Sequence, residues 1–415
     1  MPVELRPTAP RSRLRRSPHL GLSGLRGLSV LIVGAALGGC TGLSGGSAAP
    51  TGSPLASPPA TTAAPESTPE PALAPSSTPI TEIPTVSVTS TTDLTTGLDA
   101  PWGLAFLPDG RALVTLRDEA RVVLVEPDGA ATDVTGAGAQ DLATTTTPGG
   151  EAGLLGVAVA PAGGPHAGEI YLYRTVAAGN EVVRATLDGA TLGDLRIVLD
   201  GIPKAANHDG GRLAFGPDGF LYVATGDAGN PPDAQDPASL GGKILRITPD
   251  GAAAAGNPIA GSPVWTSGHR NVQGLDWAPD GRMFASEFGQ NAVDELNEIT
   301  PGANYGWPDV EGTGGSTAGF TDPLATWPTS EASPSGLAVT AEGVYLAGLR
   351  GQRLWRVPLT ADGVGQPQAL LAGELGRLRA AVRAPDGSLW ILTNNTDGRG
   401  DPRPGDDRLV RITVG

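Results

Sequence analysis

Gly103-Leu104-Ala105-Phe106-Leu107-Pro108-Asp109-Gly110 reads as a short strand running into a tight turn. Pro presets φ, Asp bonds back to the backbone, and Gly accepts positive φ. The phrase returns as Arg212-Leu213-Ala214-Phe215-Gly216-Pro217-Asp218-Gly219 and as Gly274-Leu275-Asp276-Trp277-Ala278-Pro279-Asp280-Gly281. Looser copies lie at Gly156-Val157 to Pro161, Gly336-Leu337 to Ala341, and Ala380-Ala381 to Gly387. In all six an apolar residue stands four positions before the Pro or Ala, and successive copies begin about 44 to 62 residues apart. That period suits the blades of a propeller.

A second strand follows most turns, as in Leu221-Tyr-Val-Ala224 and Leu389-Trp-Ile-Leu392, and a third often follows that, as in Lys243-Ile-Leu-Arg-Ile247. The expected fold is all-β: a six-bladed β-propeller of four-stranded antiparallel blades. A β-sandwich would not repeat one phrase six times, and variable insertions between copies disfavour a solenoid. The C-terminal strand from Arg408 is expected to pair with a strand near Val86, closing the ring and removing an exposed edge.

The rest of the chain sets the context. Among 415 residues, 61 Gly and 39 Pro fit a fold with many turns. A net charge of −15 argues against a nucleic-acid partner, which needs a basic face. Residues 1–40 read as a signal peptide: Arg6, Arg11, Arg13, Arg15 and Arg16 precede an apolar stretch from Leu28 to Leu37. Leu37-Gly38-Gly39-Cys40 resembles the lipobox of bacterial lipoproteins, which implies cleavage before Cys40 and lipid on its sulfur. Cys40 is the only cysteine, so no intramolecular disulfide can form. The expected location is therefore outside the cell, held to the membrane through Cys40 alone. A plain signal peptide cut nearby is the alternative. Residues 41–85, rich in Ser, Thr, Pro and Ala, are expected to form a disordered tether. The propeller occupies 86–415.

Loops from all blades of a propeller meet around its axis, so the chemistry is sought where polar residues interrupt the repeat. His208, in Asn207-His-Asp-Gly-Gly-Arg212, reads either as a structural hydrogen-bonding residue or as a general base. Asp227, in Gly226-Asp-Ala-Gly-Asn230, is a turn residue or the carboxylate that orients His208. Arg270, in Gly268-His-Arg-Asn-Val-Gln-Gly274, can grip a carboxylate or a quinone oxygen. The acidic stretch Ser286–Glu295 is a charged loop or a source of oxygen ligands for calcium. Arg377 and Arg379 alternate onto one face, which is a solvated edge or an anion-binding surface.

Taken in order, these segments resemble the soluble glucose/sorbosone dehydrogenase family, quinoprotein sugar dehydrogenases that use pyrroloquinoline quinone (PQQ). The matching phrases are Gly153-Leu-Leu-Gly156, His208 to Gly219, Gly226-Asp227, Gly268 to Leu275, Asp294-Glu-Leu-Asn297, and Asn304-Tyr-Gly-Trp-Pro308. They cover about Ala100 to Val410. The lipoprotein head and short loops look like the bacterial aldose sugar dehydrogenase branch. The resemblance implies oxidation of an aldose at its C1 hydroxyl to a lactone, with hydride passing to PQQ, calcium assisting, and a broad substrate range. It implies His208 as base, Asp227 as its orienting partner, and Arg270 as stabiliser of developing charge. Arg270, Asn271, Arg350, Arg377 and Arg379 would hold PQQ, with Glu151 beside it. The carbonyls of Gly289 and Gln290 would bind an active-site calcium, and Glu295 and Tyr305 a second one. The electron acceptor is left unidentified.

Four positions depart from the family pattern: Glu151 stands where Gln is frequent, Gln290 for Pro, Arg350 for Lys, and Ala380 for a larger residue. A carboxylate at 151 would repel an anionic cofactor unless neutralised. Two other readings stand beside this one. A sugar lactonase-like propeller needs a central metal held by carboxylates and Asn, whereas this chain offers arginines. A non-catalytic glycan- or protein-binding propeller would not need the His208–Asp227–Arg270 set.

Overall fold

The computed structural model describes residues 83–361 and 363–415. The export segment, Cys40 and nearly all of the tether lie outside those residues.

The turn chemistry of the repeat is realised as expected. Asp109, Asp218, Asp280 and Asp386 each accept a hydrogen bond through Oδ1 from the backbone N–H two residues on, at 2.9–3.2 Å. The glycine of each of those turns has φ between 78° and 93°. Each turn therefore reverses the chain by itself, and the apolar runs on either side become paired antiparallel strands.

Six antiparallel sheets of this kind form six blades. The inner strands are Pro101–Phe106, Leu154–Val159, Leu213–Phe215, Val272–Trp277, Pro334–Thr340 and Leu378–Arg383. They contact one another in sequence around a ring, and the last contacts the first. The sixth blade is built from both ends of the chain: Val88–Thr96 pairs antiparallel with Arg408–Val414. The ring is thus closed as the repeat predicts. The core lies between blades, where Trp102, Tyr171, Tyr173, Phe284 and Tyr345 are all essentially buried. Each such ring buries a large apolar area, and the many Leu, Val and Ile around them add the rest of the packing free energy. The repeat did not reveal the one helix among the described residues, Ala137–Thr145, inserted between the first two blades.

Glycines in the inner strands let adjacent blades approach closely. A Cβ at Gly103 would lie 2.7 Å from the Leu155 carbonyl oxygen, and one at Gly274 would lie 2.6 Å from that of Ser335. The chain segments that lead into the inner strands gather at one mouth of the ring, and the Pro-Asp-Gly turns at the other.

Candidate active site

His208 stands at the mouth that gathers the segments leading into the inner strands. Its backbone has φ of +60°, unusual for a residue with a side chain. Gly226 makes that conformation possible, because any Cβ there would collide with the His208 carbonyl. Glu151 Oε2 accepts the His208 backbone N–H at 2.9 Å. The ring is held in turn: His208 Nδ1 lies 2.7 Å from Asp227 Oδ1. Asp227 is wholly buried, and it also accepts from Gly229 N–H at 2.8 Å and from Trp307 Nε1 at 2.8 Å. Burial works to raise the Asp227 carboxyl. Its bonds to His208, Gly229 and Trp307 outweigh that and hold it below its ordinary value.

These contacts assign the tautomer. An ionised Asp227 only accepts, so Nδ1 carries the proton. On the other side Arg270 Nη2 lies 2.7 Å from His208 Nε2. Arginine only donates, so Nε2 presents its lone pair. His208 is therefore a neutral imidazole with its basic nitrogen facing the cavity, which is the arrangement a general base requires.

Arg270 is fixed from several sides. Its Nε donates to Gln290 Oε1 at 2.8 Å and its Nη1 to the Phe288 carbonyl at 3.2 Å. Burial lowers its pKa, while neighbouring carboxylates, Asp227 first, oppose that. Gln290, whose backbone carbonyl alone is expected to serve calcium, is thus also a side-chain partner of the central arginine. Asn271 Oδ1 accepts from Gly210 N–H at 3.0 Å, which ties the two loops together.

His208, Arg270, Asn271, Glu151, Gly289, Gln290, Arg350, Arg377 and Arg379 all line one cavity of about 400 Å³. The solvated-edge alternative for Arg377 and Arg379 fails, since they are 7 % and 4 % exposed. Asp397, not anticipated, sits 2.9 Å from Arg377 Nη2 and 3.7 Å from Arg379 Nη2. Arg379 Nε is buried with no partner among the described residues. Arg117 and Arg399 add two more cations to the lining. The cavity is therefore locally basic inside an acidic protein, and it has the volume and charge for a planar polyanion.

The difficulty at Glu151 is resolved by Arg399, whose Nη1 lies 2.9 Å from Oε1. Burial works to raise the Glu151 carboxyl, but the His208 N–H and Arg399 together keep it below the usual value. Both of its oxygens are engaged, one by the backbone of the base and one by Arg399.

The calcium candidates fall in two places. Gly289 and Gln290 sit on a loop whose amides from Gln290 to Val293 all donate to Glu311 Oε1, at 2.6–3.3 Å. Neither carbonyl accepts a hydrogen bond among the described residues. Glu295 and Tyr305 line a smaller neighbouring cavity with Glu287 and Glu311. Burial, and then the charge of Glu287, raise the Glu295 carboxyl. Asn297 Nδ2 bonds both Glu287 and Glu295, and its Oδ1 is buried without a partner. Closely set carboxylates with an orphaned oxygen and free carbonyls suit a hard cation. The Tyr305 hydroxyl is spent on the Glu298 carbonyl and the Thr300 N–H, so a ligand role would fall to its backbone. Among the described residues no three His, Cys, Asp or Glu side chains converge as a metal-holding group. His269 is fully buried against Glu287 Oε2 at 2.8 Å and stacks on Tyr305, so it is structural.

Asp209 adds a prediction. Its Oδ1 accepts from Asn180 at 3.0 Å and from Ala205 N–H at 3.1 Å, and its Oδ2 is buried without a partner. Burial pushes this carboxyl up to about 6. A folded pKa above the unfolded value of about 3.9 means that stability is lost as pH rises between the two. Relative to Asp209→Asn, the wild type should lose about 2–3 kcal/mol between pH 4 and 7 in urea unfolding. A difference independent of pH would show that this carboxyl is not perturbed.

Comparison with known proteins places the chain in a family. The family model described as Glucose / Sorbosone dehydrogenase matches residues 98–410. An aldose sugar dehydrogenase, YliI of Escherichia coli, is 31% identical over 72% of this chain and 89% of its own length. The PQQ-bound structure of an aldose sugar dehydrogenase from Streptomyces coelicolor is 50% identical, with a TM-score of 0.75, over 80% of this chain and 98% of that one. The apo form of the soluble aldose sugar dehydrogenase of Escherichia coli is 26% identical, with a TM-score of 0.68, over 79% and 99%.

Proposed function

The chain belongs to the glucose/sorbosone dehydrogenase family, and from that premise we propose that it is a PQQ-dependent dehydrogenase of aldose sugars. The observation that carries the reading is His208, with Nδ1 tied to Asp227 at 2.7 Å and Nε2 turned, against Arg270, to an arginine-rich cavity. Arg350, Arg377 and Arg379 would hold the carboxylates of PQQ, and the partnerless Arg379 Nε supports that fit. PQQ bound there would supply the electron sink for the hydride at sugar C1.

The protein's own part begins with the sugar hydroxyl. It takes the place of Arg270 Nη2 at His208 Nε2 and gives its proton to that nitrogen. Asp227 stabilises the imidazolium that results. Arg270, released from Nε2, turns its donors to oxygen on which negative charge develops. Glu151 keeps the imidazole in place through the His208 backbone. With the proton held on His208 Nε2, loss of a hydride from C1 would leave the sugar as the lactone, its proton and hydride both accounted for. Calcium on the Gly289 and Gln290 carbonyls would polarise the acceptor as a Lewis acid, and the cavity beside Glu295 would take a second ion. The short loops around the cavity favour a broad range of sugars.

The test is direct. Protein prepared with calcium and PQQ is offered glucose and several other aldoses with a dye acceptor, and cofactor binding is followed separately by absorbance. PQQ-dependent dye reduction is expected, and its absence with every aldose and alcohol sinks the reading. We also propose lipid attachment at Cys40, supported by the lipobox-like Leu37-Gly-Gly-Cys40. Cys40→Ser should move the protein from the membrane to the soluble fraction; unchanged fractionation refutes the anchor.

A further inference from the structure

Below the cavity just described, the inner strands bring one register position from each blade around the axis. Four of these positions are glycine, namely Gly103, Gly156, Gly274 and Gly336, and a fifth is Ala380. The third blade supplies Arg212 instead. Its Nε donates to the Gln273 carbonyl of the fourth blade at 2.7 Å. Its guanidinium lies 4.3 Å from the centroid of the Trp102 ring in the first blade. Its Nη2 lies 3.0 Å from where a Cβ on Gly336 of the fifth blade would stand. Arg212 therefore reaches across the axis, filling the gap that the small residues leave.

This arginine is 6 % exposed and lacks a counter-charge. Its bond to Gln273 is the only hydrogen bond of its side chain among the described residues, and Nη2 is buried with no partner. Burial alone lowers its pKa, to about 9, with no carboxylate contributing. It therefore stays charged at neutral pH. Resting on an indole face returns only part of what removing an ion from water costs. The difference calls for an anion.

There is room for one on the far side of Arg212. A second cavity of about 310 Å³ runs along the axis away from His208, with Arg212 and Gly336 among its lining residues. Leu104, Phe106, Val157, Phe215, Leu337 and Val382 wall it with hydrocarbon. Arg212 and Gly336 precede the wall residues along their strands, so they form its inner end. Asp276 is the acid on the wall, and its carboxylate is taken by Val339 N–H at 2.7 Å and Trp277 N–H at 2.8 Å. Arg383 stands exposed at the rim. Hydrocarbon side chains thus alternate with polar backbone and rim groups along the space, and an unpaired guanidinium stands at its inner end.

We propose that this lower axial cavity is a binding site for a monocarboxylate with a medium-length apolar tail. The carboxylate meets the Arg212 guanidinium and the tail lies along the hydrocarbon walls. Charge complementarity selects the head, and the walls select a tail over a bare inorganic ion. The site is separate from the sugar cavity, since Trp102 and Arg212 lie between the two.

The probe is sodium octanoate, titrated calorimetrically into the full-length protein. Octanol tests the tail without the charge, and sodium chloride tests the charge without the tail. One octanoate per chain is expected, at least ten-fold tighter than either control. Arg212→Met should weaken octanoate at least ten-fold and leave octanol unchanged. Ala105→Trp, on the cavity wall, should displace octanoate while Arg212 is retained, which decides the matter if Arg212→Met does not fold. Equal binding of octanol or of chloride overturns the proposal, as does octanoate binding that survives Ala105→Trp. No octanoate binding to the wild type overturns it outright.

Discussion

His208→Ala lowers kcat for an aldose by about 10²- to 10⁴-fold and leaves PQQ affinity within a small factor of wild type. The reason is positional. The imidazole is held by Asp227 at 2.7 Å on one nitrogen, and the other faces the cavity. The other candidate bases among the described lining residues are engaged: Glu151 by the His208 backbone and Arg399, and Asp294 by the N–H groups of Gly289 and Ser333. The arginines expected to grip PQQ lie on other blades and do not depend on the ring. The measurement is kcat with saturating sugar and PQQ, beside a separate absorbance titration of the cofactor. Retained turnover means that His208 is not the base. Lost cofactor binding with lost turnover means that it serves as a structural support.

Arg270→Met is expected to lower kcat by about 10²- to 10³-fold, the usual cost of removing one donor to developing negative charge. Among the described residues, Arg270 is the cation bonded to the base itself, at 2.7 Å from Nε2. Its fork is aimed by Gln290 and by the Phe288 carbonyl. Arg270→Lys keeps the charge without the fork, so it should recover only part of the loss. A fall in sugar affinity with kcat intact would assign Arg270 to ground-state binding instead. That split separates the two roles because only interactions stronger in the transition state raise kcat.

Much of the architecture was legible from short phrases. Pro-Asp-Gly sets its own turn, as the Asp109, Asp218, Asp280 and Asp386 side-chain bonds show. The closing strand was also legible, because a ring with an unpaired edge is unfavourable and both chain ends carry strand patterns. The helix Ala137–Thr145 was missed because only one face packs, with Gly138 and Leu142 its buried residues. For the site, residue types and order pointed to His208, Asp227, Arg270 and the paired arginines by resemblance. Asp397 and Glu311 carried no local signal, and Trp307 lay in a matched phrase with no role attached to it. They act through hydrogen bonds to residues 18 to 80 positions away in the chain.

The propeller, then, was determined by the sequence itself, since each blade rests on the φ preferences of adjacent residues and on alternating apolar side chains. Those are local properties, and repetition multiplies them. What the charged side chains do was decided only by the closed ring. Glu151 reads as an obstacle to an anionic cofactor until Arg399, 248 residues away, is found beside it. Arg212 reads as one more letter of the repeat until four glycines and an alanine from other blades leave it alone on the axis. A charge is stabilised or stranded by partners within about 4 Å, and in a propeller those partners come from different blades.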